Sequence, residues 1–385
     1  MPLDSSAGPD LTLSGGVCLI PGEGLRPATL HCSGGRIAAV TRDRPPRGHG
    51  DIEMRGALVL PGVVDIHGDA FERQIMPRPR TMFPLDIALV DTDRQLAANG
   101  ITTAYHGVTV SWEPGLRSLA EAQRIIAALD DCRDLLCVDH RTHIRWETFA
   151  IDAIDSVTAL FSRVDRPLLA FNDHTTPTLA GGRQTSKIKG AAERAMVEPD
   201  VYMKLVSAIA ERSGEVPAAI RRIASAARDR TVPMLSHDDS TPEMRQSYRD
   251  LGASVAEFPL NGETAEAAAL AGDDLVLGAP NVVRGGSHNG AIGAEDAVRR
   301  GWCSILASDY YYPAPVQAAF GLIERDVLPI DRAWDLISGA PARAAGLKDR
   351  GQLATGARAD IVVIPQGSVH PVLTLVAGKV AYSRL

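Results

Sequence analysis

The sequence predicts a TIM-type (β/α)8 barrel joined to a small β-sandwich module assembled from both chain termini. Three observations carry that prediction. Residues 61–350 alternate apolar runs of strand length with helical patterns, eight times over. Residues 11–60 and the last thirty-five residues share a different texture, short β-like pieces between glycines. Histidine and acidic residues return at the ends of the barrel runs, the end at which such barrels carry their active sites.

Taken in order, the N-terminal pieces are 16–20, 28–31, 36–40 and 57–60, and the C-terminal ones are 351–353, 359–364, 372–376 and 379–382. Two β-rich ends around a different middle predict one composite domain, 1–60 plus 351–385, around a barrel at 61–350. The barrel runs are 63–66, 102–106, 135–139, 168–171, 232–236, 254–258, 275–278 and 303–307. Between most of them lie helical patterns at 87–98, 115–129, 151–163, 201–212, 217–228, 242–251, 264–271 and 294–300.

The residues just past these runs are polar in a particular way. The first run ends in His67-Gly68-Asp69, and one intervening residue puts both side chains on the same face of an extended segment. After the third come His143 and Glu147, after the fourth Asn172-Asp173-His174, after the fifth Ser236-His237-Asp238-Asp239, and after the eighth Ser308-Asp309-Tyr310. Imidazoles and carboxylates gathered at one end of the repeats predict a metal site. The seventh run opens into a loop holding Asn281, Arg284, two glycines, Ser287 and His288. Adjacent glycines let backbone N–H groups turn toward an anion, and a guanidinium forks onto phosphate oxygens. Arg183 and Lys187 in a second glycine-rich stretch, and Arg78 near the first run, extend the same basic character.

Composition excludes several classes. The chain has 385 residues, 45% hydrophobic and 23% charged, which is ordinary for a large globular core. No apolar run approaches the ~18 residues of a membrane span, and no secretory signal is read at the N-terminus, so a cytoplasmic protein is expected. Five cysteines without a CxxC read as reduced, mostly buried thiols. A formal charge of −7 argues against nucleic acid but leaves room for an anionic substrate beside bound cations.

These residues resemble the amidohydrolase superfamily. Leu60-Pro-Gly-Val-Val-Asp-Ile-His67 and Gly356-Ala-Arg-Ala-Asp-Ile-Val-Val363 look like its entry and exit segments. A narrower resemblance is to the PhnM proteins of the carbon–phosphorus lyase pathway, α-D-ribose 1-methylphosphonate 5-triphosphate diphosphatases. It rests on His67-x-Asp69 followed by Met76-Pro-Arg-Pro79, on Ser236-His-Asp-Asp239 and Ala256-Glu-Phe-Pro259, on the 278–288 loop, and on Ser308-Asp-Tyr-Tyr311. The chain departs at His67-Gly-Asp-Ala70 and at Glu72-Arg-Gln74, where that family commonly has Thr and Asn around the Asp and a Glu-Lys pair.

The resemblance implies two divalent ions, zinc first and iron or manganese as alternatives. Their implied ligands are His67, Asp69, His174, His237 and Asp309, with Glu147 as the bridging carboxylate and His143 as its possible replacement. Asp309 would also take a proton from the attacking water, and His288 would donate to the leaving oxygen. Asn281, Arg284, Ser287, Arg183, Lys187 and Arg78 would hold the phosphorylated small-molecule substrate. The implied reaction is attack of a metal-activated hydroxide on the α-phosphorus, leaving the 5-phosphate and pyrophosphate. The alternative is a superfamily relative that opens a cyclic amide or deaminates a base. A homo-oligomer is the expected assembly.

Overall fold

The computed structural model describes residues 10–42, 50–181, 185–286 and 292–385. The predicted Arg183, Ser287 and His288 lie outside these residues, as does the side chain of Thr185.

Both ends of the chain enter one eight-stranded sheet. The N-terminal part supplies β1 (Leu11–Ile20), β2 (Gly24–Ser33), β3 (Arg36–Thr41), β4 (Asp51–Glu53) and β5 (Leu58–Pro61). The barrel strands are β6 (Val63–Gly68), β7 (Ile101–Val110), β8 (Asp139–Glu147), β9 (Leu168–Asn172), β10 (Met234–His237), β11 (Val255–Glu257), β12 (Asp274–Gly278) and β13 (Ile305–Ala307). The C-terminal part adds β14 (Ile361–Ile364), β15 (Leu373–Val376) and β16 (Lys379–Ser383). The terminal sheet runs β16-β15-β14-β5-β1-β2-β3, with β4 beside β1, so β14 pairs directly with β5 across three hundred residues of sequence. Alternating apolar side chains such as Leu30, Cys32, Val59, Ile361 and Leu375 fill its core.

Residues 63–307 build the barrel, β6 through β13 in sequence order and parallel throughout. It closes between its first and last strands. The Asp69 N–H donates to Asp309 O at 2.7 Å, and the Asp309 N–H donates to His67 O at 2.9 Å. Buried Asp65 reinforces the seam by accepting from the Ser308 backbone N–H (3.0 Å) and hydroxyl (2.5 Å). Closure therefore sets the eighth-strand Asp beside the first-strand His and Asp. Val64, Ile66, Tyr105, Ala170, Leu235, Val255, Val276 and Ile305 fill the interior below.

The third strand differs from expectation. A short 3₁₀ turn occupies Arg133–Leu135, and the strand is Asp139–Glu147 instead of 135–139. Its residues are polar, yet most are buried, because ion pairs and hydrogen bonds satisfy them. Periodicity of apolar residues is blind to such a strand. Helices that apolar periodicity did not predict include Thr185–Arg194 and Ala314–Glu324. Among the described residues all five cysteines are free, and only Cys137 is exposed. No helix of these residues is long and apolar enough to cross a membrane.

Candidate metal centre and active site

The C-terminal ends of the barrel strands open on a cleft of about 540 Å³ lined by His67, Asp69, Arg145, His237, Asp309 and Lys187, among others. A larger cleft, about 710 Å³, lies in the terminal sheet and shares none of these side chains. In the barrel mouth, among the described residues, three sets of side chains bring their donor atoms close enough for one ion: His67–Asp69–Asp309, His174–His237–Asp238 and His67–His237–Glu257. Five of the six predicted ligands fall in these sets.

The sixth, Glu147, does not. It ends β8, and its oxygens accept from the His174 N–H (2.9 Å), the His174 ring at Nδ1 (3.1 Å) and the Thr175 hydroxyl (3.1 Å). The carboxylate expected to bridge two ions instead braces His174 from behind. His143, its proposed replacement, donates from Nδ1 to Ile66 O at 3.0 Å, and burial holds its pKa down at about 4.

Arg145 is a site residue that no sequence pattern marked. Its buried guanidinium donates to Asp69 Oδ2 at 2.6 Å and to His237 Nε2 at 3.1 Å, so a fixed cation links the first two sets. Burial alone would raise the Asp69 carboxyl, but Arg145, His67 and Arg117 together outweigh it and hold the group well below the usual carboxylate range. Asp309 is pushed the other way, to about 6, by burial and by the neighbouring charge of Asp69. Burial would lower His67, yet the Glu257 and Asp69 carboxylates raise it to about 10. Asp238, Phe258 and Asp309, the residues just after or near the ends of β10, β11 and β13, are held at φ of 60°, 51° and 55°. Non-glycine residues persist in that region only where the surroundings over-determine them, and they cluster at working sites.

Glu257 was also missed as a site residue, although it lies in the Ala256-Glu-Phe-Pro259 motif. A signal existed: it is an acid closing an apolar barrel run, as Asp309 nearly is. Of the predicted substrate residues, Asn281 and Lys187 line the cleft. Exposed Arg284 ends the helix Ala279–Arg284 and donates from Nη1 to the hydroxyl of cleft-lining Tyr310 at 3.4 Å. Arg73 stands 5.8 Å from the same ring. Arg78 does not line the cleft; its exposed segment turns back on itself through a bridge to Thr81.

The residues present fit divalent ions. Asp69 Oδ1 and His143 Nε2 are buried without a hydrogen-bond partner among the described residues. Gly107 leaves space beside the first of these, since a Cβ there would lie 2.4 Å from Asp69 Oδ1. Imidazoles and carboxylates whose donor atoms converge at the barrel mouth are the donor set of a borderline or hard divalent cation.

Fold and site together define a barrel hydrolase of the amidohydrolase type. Comparison with known proteins agrees. The chain is 30% identical over 349 residues to α-D-ribose 1-methylphosphonate 5-triphosphate diphosphatase of Escherichia coli K12, spanning 87% of this chain and 89% of that protein. It belongs to the family of that diphosphatase, within the amidohydrolase superfamily. No protein-family model matches. Similar solved structures include an amidohydrolase from a Sargasso Sea environmental sample, with a TM-score of 0.67 and 15% identity over 97% of this chain and 93% of that one. Another is N-acetyl-D-glucosamine-6-phosphate deacetylase of Mycobacterium smegmatis, with a TM-score of 0.64 and 16% identity over 98% and 100%. A third is N-isopropylammelide isopropylaminohydrolase of Burkholderia multivorans, with a TM-score of 0.63 and 16% identity over 96% and 97%.

Proposed function

We propose that this hydrolase cleaves α-D-ribose 1-methylphosphonate 5-triphosphate to the 5-phosphate and pyrophosphate. The observation that carries the reading is the 30% identity, over nearly the whole chain, to the E. coli protein of that name. We further propose two divalent ions, one at His67–Asp69–Asp309 and one at His174–His237–Asp238, with zinc first and iron or manganese as alternatives. Bound there, divalent ions would make water acidic enough to supply a nucleophile near neutral pH and would offset phosphate charge.

The chain's own residues divide the remaining work. Asp309 stands at the seam of the barrel beside His67 and Asp69 and lines the cleft, where its carboxylate is placed to accept a proton from the attacking water. Arg145 holds Asp69 in place and adds a fixed positive charge to the cleft wall. Lys187, Arg284 and Asn281 are the groups to receive the phosphate chain. Tyr310, the residue after Asp309, accepts from Arg284 and so ties that end of the cleft to Asp309.

The test is a coupled pyrophosphate-release assay on the ribose triphosphate, run beside a cyclic amide such as dihydrouracil. Pyrophosphate release with no amide opening supports the proposal. The reverse pattern transfers the chain to the amide-cleaving branch.

A further inference from the structure

Glu257 closes β11, and its carboxylate is fully buried beneath the cleft, which it does not line. One oxygen lies 2.9 Å from Nδ1 of His67 and the other 3.3 Å from Nδ1 of His237. The two rings come from the first and fifth barrel strands, yet stand nearly parallel, at 12° and 5.3 Å between centroids.

An ionised carboxylate only accepts, so each Nδ1 facing it carries the hydrogen. For His237 a separate contact gives the same tautomer. Arg145 Nη2 donates to His237 Nε2 at 3.1 Å, and a guanidinium cannot accept, so the lone pair is on Nε2 and the hydrogen on Nδ1. His143 does not compete for Glu257, since its Nε2 is 3.8 Å away, beyond hydrogen-bond reach.

We infer that Glu257 is a positioning residue, a single carboxylate that fixes the ring orientation of both His67 and His237 through their Nδ1 atoms and so reserves both Nε2 atoms for an ion, which at His237 would take the place that Arg145 Nη2 holds. The inference rests on the reading of these histidines as ion-holding groups. A carboxylate behind a ligating imidazole orients the ring and raises its basicity. Sharing one carboxylate between two rings makes them a unit, so one substitution disturbs both.

Glu257→Gln tests this with little change of shape. The amide has one oxygen where the carboxylate has two. That oxygen can serve one Nδ1–H, while the NH2 faces the other ring and draws its hydrogen to Nε2, closing that nitrogen to an ion. Two measurements decide. The first is a crystal structure of the wild-type protein soaked with zinc alone. The expected result is zinc on Nε2 of both rings, with Glu257 still within hydrogen-bond distance of both Nδ1 atoms. The second is zinc affinity by chelator competition, with thermal unfolding of the metal-free variants as the folding control. Glu257→Gln should lose about 10–100-fold in affinity, and Glu257→Asp, which keeps both acceptors on a shorter stem, should recover part of it. Zinc bound to an Nδ1 or to the Glu257 carboxylate overturns the inference and leaves the metal site standing. So does a Gln variant with wild-type affinity. A wild-type protein that binds no divalent ion overturns the metal reading and this inference with it. If the variants do not fold, the wild-type structure still decides.

Discussion

Gly107 sits on β7 against Asp69, where an added Cβ would come within 2.4 Å of Oδ1 and 3.0 Å of Arg145 Cδ. Arg145 and the Oδ1 atom of Asp69 are buried, and the two side chains are tied to each other, so neither yields easily. Gly107→Ala should therefore displace Asp69 and cut zinc affinity roughly 10-fold or more, the scale of losing a ligand's support. Equilibrium dialysis reads this, and unchanged affinity would show that Asp69 tolerates the push. Asp309 and Arg284 separate chemistry from substrate capture. As ligand and proton acceptor, Asp309→Asn should lower kcat by ~10²-fold or more while leaving substrate binding partly intact. Arg284→Met keeps the stem and removes the charge. It should lower kcat/KM for the triphosphate by ~10²-fold and leave metal content unchanged, with Arg284→Lys recovering part of the loss. A steady-state comparison of these variants with metal analysis of each makes the check.

Among the elements, β6 and β13 matter most, because their seam puts Asp309 beside His67 and Asp69. Asp65 clasps it by accepting twice from Ser308. Asp65→Ala strands a buried N–H and hydroxyl, at a cost of about 1–3 kcal/mol for each group. It should lower the midpoint of thermal unfolding and, through the loosened seam, metal affinity as well. An unchanged midpoint would show that the backbone pair at Asp69 and Asp309 closes the barrel alone. The first and last strands were legible because apolar runs lead straight into their functional residues. The third was not: His143 and Arg145 are polar and their partners, Ile66 and Asp69, lie far off in sequence, so no local pattern marks them as buried. For the same reason Glu147 was read as a bridge. Its bonds to His174 and Thr175 depend on how β9 ends, which spacing does not tell. Glu257 looked like the end of an apolar strand, and its role emerges only when two distant histidines meet over it.

At the scale of the whole molecule, Arg350 joins the barrel to the terminal sheet. Its buried guanidinium donates to Asp139 Oδ2 (2.6 Å) at the start of β8 and to Thr103 Oγ1 (2.8 Å) on β7, with Asp360, just before β14, at 3.9 Å. Asp139 keeps Arg141 and Asp360 keeps Arg358, so Arg350→Met should cost about 1.5–3 kcal/mol, the scale of a lost hydrogen bond to a charged group. The effect should depend on pH. Burial would raise Asp139, but Arg141 and Arg350 outweigh it and depress the group. A depressed carboxyl contributes stability that is complete above its unfolded value, about 3.9, and is lost as pH falls through the folded value. The gap between wild type and Arg350→Met should therefore be full at neutral pH and shrink below about pH 4. Denaturant melts at pH 7 and pH 3.5 would show it, and a gap that widened in acid would reverse the assignment.

The central claim is that ions held at the barrel mouth let this chain split a ribose triphosphate between its α- and β-phosphorus. Phosphorus-31 NMR of α-D-ribose 1-methylphosphonate 5-triphosphate, incubated with chelator-stripped protein and then with zinc or manganese restored, tests it most directly. The account predicts no change with stripped protein and, once metal is restored, loss of the triphosphate signals as a 5-phosphate and pyrophosphate appear together. An unaltered triphosphate with metal-replete protein, or release of inorganic phosphate in place of pyrophosphate, would contradict it.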